Sequence, residues 1–393
     1  MNAIVRMTAA VLGLAVAAAT HAAPAGRELV DAFDARFRTE LGEAGVPGAA
    51  YAIVHRGQLL GLGTYGSTEQ AGTRAVDSST VFRIASVSKG FSGVLAAMLA
   101  AEGRFELDQP VAAFSPTFTL KPTQPRKLTV EDVLGQRSGF VRNAYDNLIE
   151  AGLPREEILP RFRSLEPLCA PGACYSYQNN IFSLIEDVVA ETARHPWAQV
   201  MQERIFTPLG IVGASIGYQP FVANDNRAEP HLKTRSGWRH VRPRTTYYQV
   251  PSAAGINAGI VDMAQWAIAM LGHRPDVIPP DVIAEVTRPR IRTRNEMANR
   301  HWRDIITNAH YGLGWRVYEI GRHELALHGG WVAGYRAEIA LSHELDLGIV
   351  ILANAETRAV SALDRFFWDL AFESPALART APASPTAAAG TPE

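Results

Sequence analysis

Cysteine is scarce in this chain. There are two in 393 residues, Cys169 and Cys174, both inside "LCAPGACYSY". Two thiolates alone cannot build a four-ligand structural zinc site, and a disulfide-dense miniature scaffold is excluded as well. What remains is a short disulfide closing the Pro171-Gly172 turn, or two free buried thiols. An excess of either charge is also absent: 38 Lys+Arg face 39 Asp+Glu, for a formal net charge of -1. That lacks the basic footprint of a nucleic-acid binder, so no nucleic-acid partner is expected. The arginine-containing runs "HVRPRTTYY" and "RPRIRTRNEMANR" read as solvated surface. Beyond the first 26 residues no segment reaches about 18 uninterrupted apolar residues, so no stable membrane insertion of the mature chain is expected. No internal repeat is visible.

What is present is an ordinary globular composition, 47% hydrophobic and 20% charged, long enough for a large core or two domains. Residues 1–22 have the shape of a secretory signal peptide. Arg6 precedes an apolar run from Met7 to Ala19, and small residues allow a cut after Ala22 or Ala23. The rival is an uncleaved anchor. Cleavage implies a periplasmic or secreted protein, where a disulfide is chemically permitted. The tail, 377–393, is low in complexity and reads as disordered.

Between these ends, Leu29, Phe33, Phe37 and Leu41 recur every four residues, the stripe of an amphipathic helix. "GAAYAIVHRGQLLGLGTYG" reads as two strands around a turn at Arg56-Gly57. Strand-like segments rich in Ile, Val and Leu return after residue 306, and "AVSALDRFFWDLAF" closes as a helix. The expected fold class is therefore α/β. An antiparallel sheet is built from 24–85 and 306–376 and flanked by the first and last helices, with a mainly helical region, 86–305, inserted between. A cleft between the two regions is the natural place for a site.

Chemistry concentrates first in "FRIASVSKGFSG". A helical pattern starts at Ser86, with Lys89 three residues on and so on the same face, about 5–6 Å away at Cβ. Ser88 is adjacent in sequence to Lys89 and points elsewhere. A helix N-terminus offers unpaired N–H groups and a positive dipole end to a forming oxyanion. Lys89 can act as a base only if burial or nearby charge lowers its pKa. Taken alone, S-x-x-K is a short pattern that a capping serine and a surface lysine also satisfy.

Two further segments change that weighing. "PGACYSYQNNIF" sets Tyr177-Gln178-Asn179 just before a helix, and "LALHGGWVAGY" sets His328-Gly329-Gly330 on a strand. The ordered set S-x-x-K, Y-x-N, H-x-G resembles the serine β-lactamase and penicillin-binding-protein family, in its class C and esterase-like branch. "LTVEDVLGQRSGF", "RIFTPLGI", "SAAGINAGIVDMAQWAIAML" and "YGLGW" follow in that family's order, from about residue 30 to 370. The resemblance implies a β-lactamase/transpeptidase-like fold and an acyl-enzyme route needing no cofactor or metal. Ser86 would be the nucleophile, Lys89 its proton partner and Tyr177 the acid or base. Asn179 would hold the substrate amide and help position Lys89. The backbone N–H groups of Ser86 and Trp331 would form the oxyanion hole. Gly329 and Gly330 would let substrate lie along the strand edge.

His328 stands where penicillin-recognising members carry lysine, which weakens a fixed grip on a substrate carboxylate. A neutral imidazole there could still donate a hydrogen bond or polarise Tyr177, which keeps His328 among the expected catalytic residues. Trp331 is expected as an aromatic wall near the acyl site, and Gln136 as a packing variation where many members have histidine. The substrate implied is a small molecule: a β-lactam, an ester or a peptidoglycan-derived peptide. The alternatives are a carboxylesterase or D-amino-acid peptidase of the same family, or a non-catalytic penicillin-binding sensor. The oligomeric state is open.

Two decoys fail on context. "GASIG" places Ser215 in a formal G-x-S-x-G, but the strand-to-helix turn a nucleophile elbow needs is missing. "HELALH" spaces His323 and His328 five apart on a strand-like segment, not four apart on a helix as in a zinc motif. The scattered His301 and His310 have no convincing ligand spacing.

Overall fold

Strands come from both ends of the chain and meet in one sheet. The computed structural model describes residues 24–374 and 377, apart from 71, 116–117 and 121–126. The expected leader and the tail beyond 377 lie outside the described residues. In chain order the strands are β1 (Gly48–His55), β2 (Gln58–Gly66), β3 (Val81–Arg83), β4 (Ser215–Ile216), β5 (His231–Thr234), β6 (Gly237–His240) and β7 (Ile256–Gly259). They continue with β8 (Ile291–Arg292), β9 (Ile306–Tyr311), β10 (Arg316–Ile320), β11 (His323–Val332), β12 (Tyr335–Ser342) and β13 (Leu347–Ala353). The main sheet runs β2-β1-β13-β12-β11-β10-β9-β8, and every neighbouring pair in it is antiparallel.

Arg56 and Gly57, both at positive φ (52° and 73°), turn β1 into β2. A two-residue turn of that hand matches the twist of the strands it joins. One face of the sheet carries the N-terminal helix (Pro24–Ala44) and the C-terminal helix (Ala359–Glu373). Phe33, Phe37 and Leu41 are fully buried there against Tyr51, Ile351 and Phe367. Burying each such side chain contributes about 1.5–3 kcal/mol. The opposite face carries the middle of the chain around the buried helix Ser88–Ala101. That middle region also holds the small sheet β3-β7-β4 and the hairpin β5-β6. Among the described residues no helix is long and apolar enough to cross a membrane.

The register of β11 positions the site. Its pairing with β10 runs from His323 to Leu327 and stops, while its pairing with β12 continues to Val332. From His328 onward one edge of β11 is therefore unpaired. Ser86 and Tyr177 share a cleft with this stretch.

Candidate active site

Ser86 sits in a short 3-10 turn, Ala85–Val87, that feeds the α-helix beginning at Ser88, rather than in that helix itself. In a 3-10 turn residues three apart eclipse one another, which brings Lys89 under Ser86. Ala85, immediately before the serine, adopts a left-handed backbone (φ 50°). Such strain in a non-glycine residue costs about 1–3 kcal/mol and concentrates at functional sites.

Lys89 is fully buried, and its Nζ has three partners: Asn179 Oδ1 at 2.7 Å, the Ala253 carbonyl at 2.9 Å and Ser86 Oγ at 3.2 Å. Burial pulls the ammonium below the ordinary lysine range. Tyr177 and Asp146 pull the other way, and Arg316 adds to the lowering. A neutral amine has two N–H groups and one lone pair. In the neutral form that burial favours, the two carbonyl oxygens can only accept and take both N–H groups, which leaves the lone pair for the hydroxyl of Ser86. This arrangement can remove the serine proton. Ser88 plays a structural part instead, its wholly buried Oγ accepting from the Ile256 N–H at 3.1 Å.

Tyr177 and Asn179 are held by the segment 136–146. Gln136 is buried at a positive φ of 58°, and its side-chain amide clasps the Gln178 backbone from both sides. It accepts from the Gln178 N–H at 2.6 Å and donates to the Gln178 carbonyl at 3.2 Å. Gln136 thus braces the residue between Tyr177 and Asn179, beyond merely filling space. Asn143 N–H donates to the Tyr177 carbonyl at 2.8 Å. Asp146, which the motifs did not reveal, accepts from Asn179 Nδ2 at 2.7 Å and so orients the amide with its oxygen on Lys89. Burial raises the Asp146 carboxyl, against the lowering pull of Asn179 and Lys89. Upstream, Cys169 and Cys174 are joined in a disulfide that closes the Pro171-Gly172 turn.

The Tyr177 ring lies among three basic side chains: Lys89 Nζ at 4.7 Å from its centre, Arg316 at 5.6 Å and Arg142 at 5.9 Å. Arg316 is not marked by any of the motifs, although it directly follows "YGLGW". Its Nη2 faces Glu296 at 3.4 Å, and its buried Nη1 has no hydrogen-bond partner among the described residues.

The His328 ring makes its hydrogen bonds to the Gly329 carbonyl and to Tyr311. Its Nδ1 lies 2.9 Å from the Gly329 carbonyl and must carry the proton, so Nε2 accepts from the Tyr311 hydroxyl at 3.0 Å. Burial holds the ring well below the ordinary histidine range, with Arg316 and Lys89 adding to the effect. Both ring nitrogens are thereby engaged away from Tyr177.

Trp331 lines the same cleft as Ser86. Strand residues alternate faces, so Trp331 shares the face of Gly329, opposite His328 and Gly330. Its half-exposed indole donates to Glu356 at 2.8 Å and stacks under Arg336. Gly330 faces the Ile84–Ala85 turn so closely that a Cβ there would penetrate the Ile84 carbonyl oxygen.

Ser86, Tyr177, Asn179, Gly329, Trp331 and Arg316 line one cleft of about 340 Å³. The decoys lie apart from this chemistry. Ser215 Oγ accepts from Asn257 at 3.2 Å, and His323 pairs with Glu344 at 3.0 Å. Among the described residues no His/Cys/Asp/Glu group is arranged to hold a metal ion.

Known proteins are similar to this chain in sequence and in fold. The profile of the family described as Beta-lactamase matches residues 33–372. The chain is 24% identical to the beta-lactamase of Escherichia coli K12, over 79% of this chain and 84% of that one. It is 26% identical to an unguisins hydrolase of Aspergillus campestris, over 79% of this chain but only 58% of that protein's length. It is 24% identical to a D-aminopeptidase of Gluconobacter oxydans, over 78% and 56%. In fold it is similar to the octameric penicillin-binding protein homologue from Pyrococcus abyssi, with a TM-score of 0.77, 20% identity and coverage of 87% and 77%. A family match of that extent is sufficient: the chain belongs to the Beta-lactamase family and is a serine hydrolase.

Proposed function

We propose that the protein is an exported hydrolase of the class C β-lactamase type that opens β-lactam rings or related cell-wall amides through an ester on Ser86. The observation that carries this reading is the environment of Lys89, whose two carbonyl partners leave its lone pair to the Ser86 hydroxyl at 3.2 Å. Ser86 Oγ attacks the carbonyl carbon as its proton passes to Lys89. The tetrahedral oxyanion is met by the N–H groups of Ser86 and Trp331. On collapse, the C–N bond breaks and the leaving nitrogen takes the proton through Tyr177. Water then attacks the ester, gives one proton back through the same pair to Ser86 Oγ, and releases the acid. Asn179 would hold the substrate amide while it steadies Lys89. Turnover of nitrocefin or a carbapenem by the purified protein, lost in Ser86→Ala, is the expected result; unchanged turnover in Ser86→Ala overturns it.

A second reading, a carboxylesterase or D-amino-acid peptidase, is favoured by His328. A neutral, fully engaged imidazole supplies no cation at the strand edge. Any grip on a substrate carboxylate would then fall to Arg316, whose Nη1 has no hydrogen-bond partner among the described residues. Hydrolysis of p-nitrophenyl esters or D-aminoacyl amides without β-lactam turnover would select this reading.

A further inference from the structure

On the acyl-Ser86 reading, one of the two oxyanion-hole donors is the N–H of the peptide group linking Gly330 to Trp331. In a trans peptide the carbonyl and the N–H point in opposite directions. The Gly330 carbonyl is directed at β12, so the Trp331 N–H is directed at the free edge of β11. That carbonyl accepts a hydrogen bond from Arg336 Nη1 at 3.1 Å. Arg336 sits on β12 directly across from Trp331. Its guanidinium is clamped: Nη2 donates to Ser361 Oγ on the C-terminal helix at 2.8 Å, and Glu338 lies 3.5 Å away. The guanidinium also covers the Trp331 ring, 4.9 Å from its centre. The indole is itself tied to Glu356, whose other oxygen accepts the Gly334 N–H at 2.9 Å.

We propose that Arg336 is a positioning residue for acyl transfer: its bond to the Gly330 carbonyl polarises and aims the Trp331 N–H at the oxyanion formed on Ser86. A cationic donor makes a hydrogen bond roughly twice as strong as a neutral one, and bonds in series strengthen each other by about 10–30%. An oxyanion-hole donor is worth roughly 10²–10³ in rate when removed outright. Losing its polarisation and alignment, with the N–H still present, should lower the rate by about 10- to 100-fold. The effect acts on the transition state, because a ground-state carbonyl oxygen carries little of the charge that the N–H answers. This inference rests on the acyl-Ser86 reading above.

The test compares wild type, Arg336→Met and Arg336→Lys with p-nitrophenyl acetate, and with phenylboronic acid as a tetrahedral adduct former. Arg336→Met should lower the acylation rate by about tenfold or more and weaken boronate binding in parallel, with KM within about twofold. Arg336→Lys, which keeps the charge but lacks the planar fork, should fall between. A purely structural residue would lower the melting temperature without separating kcat from KM. Wild-type acylation and boronate affinity in Arg336→Met overturn the proposal. If that variant does not fold, an Arg336→Lys acylation rate within about twofold of wild type overturns it. A wild type that is not acylated at Ser86 would instead remove the hydrolase reading itself, and the two failures are distinguishable.

Discussion

The neighbouring glycines of "HGGW" make opposite predictions. Gly330 faces the Ile84 carbonyl and the strained Ala85, the residue before the nucleophile. Adding one methyl in Gly330→Ala forces the strand edge and the Ser86 turn apart by about 1 Å, and a misplacement of that size costs on the order of 10²-fold in rate. The overpacking should also lower stability by about 1–3 kcal/mol. Gly329 faces the other side, where a Cβ would stand 3.4 Å from Arg336 Nη1 and Glu338 Oε1, ordinary contacts. Gly329→Ala should therefore change stability by no more than about 0.5 kcal/mol and slow acylation far less than Gly330→Ala does. The assay is the rate of Ser86 labelling by a fluorescent phosphonate, with a thermal melt on each variant. Wild-type labelling by Gly330→Ala would refute the reasoning, as would equal damage from both substitutions.

Replacing Lys89 by Met should lower acylation by about 10²–10⁴-fold. The wild-type acylation rate should fall as pH drops through the depressed Lys89 pKa, a limb absent from the variant's pH profile. Arg316→Gln leaves the partly buried Glu296 with the Tyr318 hydroxyl but without the Arg316 cation and should destabilise the fold by about 1–3 kcal/mol. In steady-state kinetics it should raise KM for carboxylate-bearing substrates more than for neutral esters. His328 has a folded pKa below that of the unfolded chain, so the unfolded chain takes up the proton first. The stability its neutral ring supports is present above about pH 6.5 and is lost as pH falls, by up to about 1.4 kcal/mol per unit. Urea midpoints from about pH 7.5 to 5 should show a shallower decline in His328→Gln than in wild type; identical slopes would exclude that role.

The sheet and its terminal helices were legible because their signals are local and periodic. The Leu29-Phe33-Phe37-Leu41 stripe and the Arg56-Gly57 turn need no partner to be recognised. Ser86, Lys89, Tyr177 and Asn179 were legible through order and spacing. Asp146, Arg316 and Tyr311 were not, since each reaches the site through a contact across sequence: 33 residues from Asp146 to Asn179 and 17 from Tyr311 to His328. The orientation of Trp331 could have been read from strand alternation, which sets it on the face opposite His328. The engagement of His328 with Tyr311 could not, because it depends on how β9 and β11 meet across β10.

The central claim is that Ser86, activated by Lys89, becomes the acylated residue. Intact-protein mass spectrometry after brief exposure to a panel of β-lactams and activated esters, followed by peptide mapping, tests it most directly. The account predicts a single acyl adduct on the peptide bearing Ser86, absent in Ser86→Ala and strongly reduced in Lys89→Met. An adduct on Ser88 or Ser215, or one that persists in Ser86→Ala, would contradict it.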